Sequence, residues 1–300
     1  VVKEAFDGAN AGVTMDGKVY GIPFTQEGYG FIYNAAIFNK AGINPDEITS
    51  YAKLEEAVKK LDAKKAELGL EAVFAVAGKE TWVTGLHFTN AALSPEFENV
   101  FNAFNAKKID FKYSEGMKKL FDLQINYAKK PVNSVDYSTQ VEKLFSLGKV
   151  AFMQQGNWTL GAIKGIDEEL AANIGFLPMP IVGAKEDSIP VGIPMYWTVN
   201  STKDEKTQAA AKAFLNWMYT SEKGKDAIIN KFGFIPPFKG FDSPDLQPKD
   251  ALAKDIMKYA SAGKTIQWVF MGYPSGWGME KIGVDLQKYV DGKLTWDQLI

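Results

Sequence analysis

Lys149-Val-Ala-Phe-Met-Gln-Gln-Gly-Asn-Trp158 is the stretch on which the reading of the fold turns. Val150, Ala151, Phe152 and Met153 form a short apolar run framed by Gly148 and Gly156, which predicts a buried strand and not a helix. Gln154, Gln155, Asn157 and Trp158 arrive together at its C-terminal end. In an open α/β sheet the loops leaving that end of the strands line a crevice where ligands collect. A carboxamide offers donors and acceptors to hydroxyl groups, and an indole face lies well against the apolar C–H face of a pyranose ring. The combination fits a sugar. The plainer alternative packs Trp158 in the core and uses the amides to cap the next helix.

Upstream, Asp16-Gly17 between two β-prone runs predicts a type I′ hairpin. Residues 21–30 are rich in Gly and Pro and hold Gln26, Glu27 and Tyr29 on extended backbone before a short strand at 31–33. Asn34 caps a helix that stops at Gly42, and Thr49 or Ser50 opens another whose buried face is Leu54, Ala57, Val58 and Leu61. A second buried strand at 70–77 ends in a polar and aromatic group containing Trp82. His87 follows on a helix, where it reads as a packed or capping residue. Ser114 is expected to cap a helix, and Thr139 with Glu142 to form a capping box.

Beyond Trp158, residues 173–177 predict a strand, and 191–200 an extended segment carrying Tyr196. Ala210, Ala213, Phe214, Trp217 and Met218 recur at helical spacing, so Trp217 reads as core. A helix at 251–262 and a run from Gln267 to Trp277 precede the last helix. Strands alternating with helices imply an α/β protein with a largely parallel sheet.

Composition narrows the ligand. Three hundred residues with 46% hydrophobic content and a net charge of −2 give no basic face for nucleic acid, and room for two lobes. All 34 cations are lysines, so the bidentate guanidinium clamp for carboxylate or phosphate is missing, and a neutral ligand is easier to hold. With no cysteine and one histidine, thiol catalysis, disulfides and His or Cys metal centres are excluded, and no cofactor is called for. No apolar run is long enough for a membrane span.

The order Asp16-Gly-Lys-Val-Tyr-Gly-Ile-Pro23, Glu27, Tyr33-Asn34, Phe38-x-Lys-Ala-Gly42, Phe145-x-x-Gly-Lys-x-Ala-Phe-Met153, Gly156-Asn-Trp158 and Ala211-Lys-x-Phe-Leu215 resembles the extracellular solute-binding proteins of carbohydrate ABC transporters. The resemblance implies a two-lobed periplasmic-binding-protein-like fold of type II with the N-terminal lobe incomplete. Residues 1–27 and 198–248 would then be a remnant of that lobe, and 28–197 with 249–300 the C-terminal lobe. It implies a carbohydrate ligand in an interlobe cleft, permease subunits of an ABC importer as partners, and a place in the periplasm or, through a lipid anchor ahead of Val1, at the cell surface. It puts the family's cleft glutamate on Glu27, its stacking tryptophan on Trp158, and further aromatic contacts on Trp82 and Trp277. Gln26, Tyr29, Gln155, Asn157 and Tyr196 join them from local chemistry alone.

Two other readings stand beside sugar capture. A glycoside hydrolase needs two carboxylates about 5 to 10 Å apart across the scissile bond, and only Glu27 offers itself. The same fold could instead bind a polyamine caged by Trp and Glu, a peptide or a metal.

Overall fold

A computed structural model describes residues 2–5, 9, 11–241 and 243–300. Its strands are β1 (Thr14–Met15), β2 (Lys18–Val19), β3 (Ile22–Pro23), β4 (Glu27–Asn34), β5 (Phe74–Ala75), β6 (Phe152–Gly156), β7 (Ile174–Leu177), β8 (Ile189–Gly192), β9 (Tyr196–Trp197) and β10 (Thr265–Ile266). The chain divides into two compact units, the first of Val1–Glu27 and Gly192–Lys254, the second of Gly28–Val191 and Asp255–Ile300. The breaks at 191/192 and 254/255 differ from the expected 197/198 and 248/249. β9 belongs to the first unit because it pairs with β3.

The second unit is built on a sheet of order β10-β8-β4-β6-β5, with β7 also on β4. β4 runs antiparallel to β6 and β7, whereas β5 with β6 and β10 with β8 are parallel. The expected largely parallel sheet is therefore mixed. Element order along the chain does not set strand direction when long excursions separate partners. β4 is buried on both faces: Tyr29 and Phe31 project one way, Gly28, Gly30 and Ile32 the other. Phe31, Phe38, Phe74 and Phe152 share ring contacts at 4.9 to 5.4 Å and form the heart of the core.

Helix ends follow local chemistry. Asn34 Oδ1 accepts from the Ile37 amide at 3.2 Å, and the helix Ala35–Ala41 stops at Gly42 with φ of 68°. Ser50 caps the helix Tyr51–Ala63, which buries Leu54, Ala57, Val58 and Leu61. Two expected caps are corrected. Ser114 lies inside its helix, one residue past Tyr113, and makes no capping bond. The turn around Thr139 starts earlier: the Thr139 amide donates to Asp136 Oδ1 at 2.9 Å, and Glu142 accepts from the Ser138 hydroxyl.

In the first unit, Asp16 and Gly17, both at positive φ, join β1 to β2 as the hairpin predicts. Thr25 and Ile235 exchange hydrogen bonds, and the Tyr219 hydroxyl donates to Phe24 O at 2.7 Å while accepting from Trp197 Nε1. The helix Glu205–Thr220 reverses one expectation. It packs through Met218 and Tyr219, leaving Phe214 58% and Trp217 45% exposed, their rings stacked at 5.8 Å. Periodicity identifies an apolar stripe but not whether anything covers it. Among the described residues, no helix is long and apolar enough to cross a membrane.

Candidate functional site

β6 runs further than its apolar residues indicate, to Gly156, so Gln154 and Gln155 lie within the strand and are buried. In the β4–β6 register Gly156 stands directly opposite Tyr29, and opposed residues of an antiparallel pair share a face. Gly156 leaves that face empty, and the Trp158 ring folds back into the space: a Cβ at 156 would lie 2.2 Å from the ring. The indole is then held by its N–H. Trp158 Nε1 donates to Gln155 Oε1 at 3.0 Å, Gln155 Nε2 to Gln140 Oε1 at 2.8 Å, and Gln140 Nε2 to Ala75 O at 2.7 Å. Asn157 Oδ1 accepts from the Gly28 amide at 3.1 Å, tying the turn to the neighbouring strand.

Around this corner the chain assembles a cluster of rings centred on His87. That residue sits in a π-helical segment, Val83–Phe88, and its ring stacks on Tyr29 at 4.3 Å. Trp82, Trp158, Phe270 and Trp268 surround it at 5.2 to 6.0 Å. Trp82 and Trp158 lie 6.3 Å apart with their planes tilted by 57°, and Tyr137 stands beyond Trp82 at 6.2 Å. Trp268 and Phe270 are fixed from Asn90, whose Nδ2 donates to Gln267 O and whose Oδ1 accepts from the Phe270 amide. Glu80 accepts from Trp82 Nε1 and from the Tyr137 amide, each at 3.1 Å. Tyr29, His87 and Trp268 are buried beneath half-buried Trp82, Tyr137, Trp158 and Phe270.

Burial penalises charge at this spot. It pushes His87 down to about 3, so the ring is neutral at physiological pH, and it raises the Tyr29 phenol well above its ordinary value. The Tyr29 hydroxyl donates to the His87 carbonyl at 3.0 Å. The result is a surface of uncharged rings in which the Trp82 and Trp158 N–H groups and the Tyr29 hydroxyl are paired within the chain, while Trp268 Nε1 is buried without a partner. Such a surface suits an apolar ring face.

Five of the nine residues singled out from sequence come together here: Tyr29, Trp82, Gln155, Asn157 and Trp158. Tyr29 and Gln155 lie behind the surface, with 0% and 1% exposure. Trp277 is in the same unit but sets its ring edge-on against Tyr273 at 4.8 Å. Gln26, Glu27 and Tyr196 belong to the first unit. There the Gln26 amide donates to Ile235 O at 2.7 Å, the Tyr196 ring lies over Gly12, and burial raises Glu27 to about 7. Nothing local in the sequence singles out Glu80 or Gln140, while the alternation Trp268-Val-Phe270 is a signal for Trp268 and Phe270. His87 is packed, as its sequence context indicates.

Residues 2–255 match the family described as bacterial extracellular solute-binding protein. The chain belongs to this family. A curated solute-binding relative, the melibiose/raffinose/stachyose-binding protein MelE of Bacillus subtilis (strain 168), is 28% identical over 218 residues, covering 67% of this chain and 47% of MelE. With 39% of a second such relative covered, the chain spans about half the length of the curated relatives it matches, or less. Among solved structures, a chitin oligosaccharide binding protein has a TM-score of 0.78 at 21% identity, covering 99% of this chain and 72% of that one. RafE in complex with raffinose gives 0.75 at 20%, covering 99% and 74%. These likenesses establish the α/β solute-binding-protein fold, two-lobed in the neighbours.

Proposed function

We propose that this solute-binding protein captures a sugar or oligosaccharide outside the cytoplasmic membrane and delivers it to the permease of an ABC importer. The observation that carries the reading is the Trp82–Trp158 pair, two half-buried indoles whose N–H groups are already bonded within the chain, leaving their ring faces to the ligand. Support comes from MelE, named for melibiose, raffinose and stachyose, and from the raffinose complex of RafE. In this reading Trp158 and Trp82 stack on the sugar, Asn157 braces the turn, and Tyr29 and Gln155 hold the rings from behind. Anchoring at the cell surface by lipid belongs to the same proposal, as does docking to the permease. Capture and release need no covalent step; ligand binding selects one arrangement of the protein for the transporter to recognise.

Calorimetric titration with raffinose, stachyose and a chitin oligosaccharide tests the reading. Saturation in the micromolar range, about −8 kcal/mol, is expected for at least one of them. Trp158→Ala should weaken it at least tenfold. Lack of saturation by all three at millimolar concentration overturns the proposal.

A further inference from the structure

The geometry points to Glu80 as a positioning residue that sets the Trp82 half of the aromatic surface without touching the ligand. The inference rests on the sugar reading above. The two indoles are held in different ways. Trp158 is bonded to Gln155 of the strand that it follows directly, three residues back, so its position is set from that strand. Trp82 has no such neighbour in a strand; its Nε1 donates to Glu80 Oε2 at 3.1 Å. The other oxygen of the same carboxylate accepts from the amide of Tyr137, 57 residues on in sequence, also at 3.1 Å. One carboxylate therefore joins two segments that each bring a ring to the surface, and the rings of Trp82 and Tyr137 end 6.2 Å apart. Hydrogen bonds to a carboxylate are shorter and stronger than those to a neutral acceptor, which suits a device that holds a ring in place. With its N–H engaged, Trp82 offers the ligand a ring face only.

Glu80→Ala and Glu80→Gln separate this role from simple structural support. The readouts are raffinose and stachyose affinity by calorimetry, thermal midpoint, and the Trp82 side-chain resonance in a proton–nitrogen spectrum of ligand-free protein, assigned with Trp82→Phe. Glu80→Ala is expected to move that resonance and weaken sugar binding about tenfold. Glu80→Gln, which keeps one oxygen acceptor, should weaken binding by threefold or less. A lower midpoint with unchanged affinity overturns the positioning role, as does a Trp82 resonance that stays in place. If the unmodified protein binds none of raffinose, stachyose and the chitin oligosaccharide, the sugar reading fails on its own, and the resonance in Glu80→Ala still decides whether Glu80 holds Trp82.

Discussion

Gly156→Ala adds one methyl group where the site has least room. Gly156 has φ of −118° and ψ of −179°, an extended conformation open to alanine, so any effect is one of space and not of backbone strain. The added Cβ would stand 2.2, 2.3 and 2.6 Å from three carbons of the Trp158 ring. Carbon atoms in good contact sit about 3.5 to 4.0 Å apart, so the ring must retreat by more than about 1 Å. Retreat breaks the 3.0 Å bond to Gln155. Its loss costs about 0.5–1.5 kcal/mol, and overpacking of this kind about 1–3 kcal/mol. Trp158 is only half-buried and has solvent to move into, which favours a total near 2 kcal/mol, measured by urea denaturation. Sugar affinity should fall at least tenfold in the same variant. The decisive comparison is a double-mutant cycle: on a Trp158→Ala background, Gly156→Ala should cost almost nothing, because the clash has gone. Additive costs would refute the argument that Gly156 exists to seat the indole.

Three further outcomes are expected. Burial raises Glu27 from 4.5 to about 7, so the folded protein holds this proton more tightly than the unfolded chain. Its contribution to stability is full below pH 4.5 and lost as pH rises through 7; urea midpoints of Glu27→Gln should lack the part of the decline that wild type shows across that window. His87 has the opposite sign: its pKa is lowered from 6.5 to about 3, so its stability is present above pH 6.5 and lost as pH falls toward 3. His87→Phe keeps a ring against Tyr29 and should flatten that acid-side loss, followed by circular dichroism. Asn157→Ala removes the acceptor for the Gly28 amide and should lower stability by about 1 kcal/mol, read from the same urea titrations.

What could be read from sequence was local. Asn34 and Ser50 cap their helices, and Asp16-Gly17 turns its hairpin, because each outcome depends on residues within one turn of chain. The corner at Trp158 was legible for the same reason. Its surroundings were not. His87 comes within reach of Trp268 across 181 positions, and Glu80 bonds Tyr137 across 57, contacts that no local pattern encodes. Gln154 and Gln155 look like loop residues, yet β6 runs through both. Their side chains are buried by bonding Val83 O and Gln140. Strand direction in the centre of the sheet depended on β4 meeting β6 more than a hundred residues later.

The uncovered rings of Phe214 and Trp217 bear on how the purified protein is handled at the bench. Reporter dyes such as anilinonaphthalene sulfonate brighten on exposed apolar surface, and their signal is usually taken to mean loosened packing. Here a fully native sample should already glow. Dye-based melting curves will start from a high baseline, and Phe214→Lys with Trp217→Lys should darken it without moving the calorimetric transition by more than a degree or two.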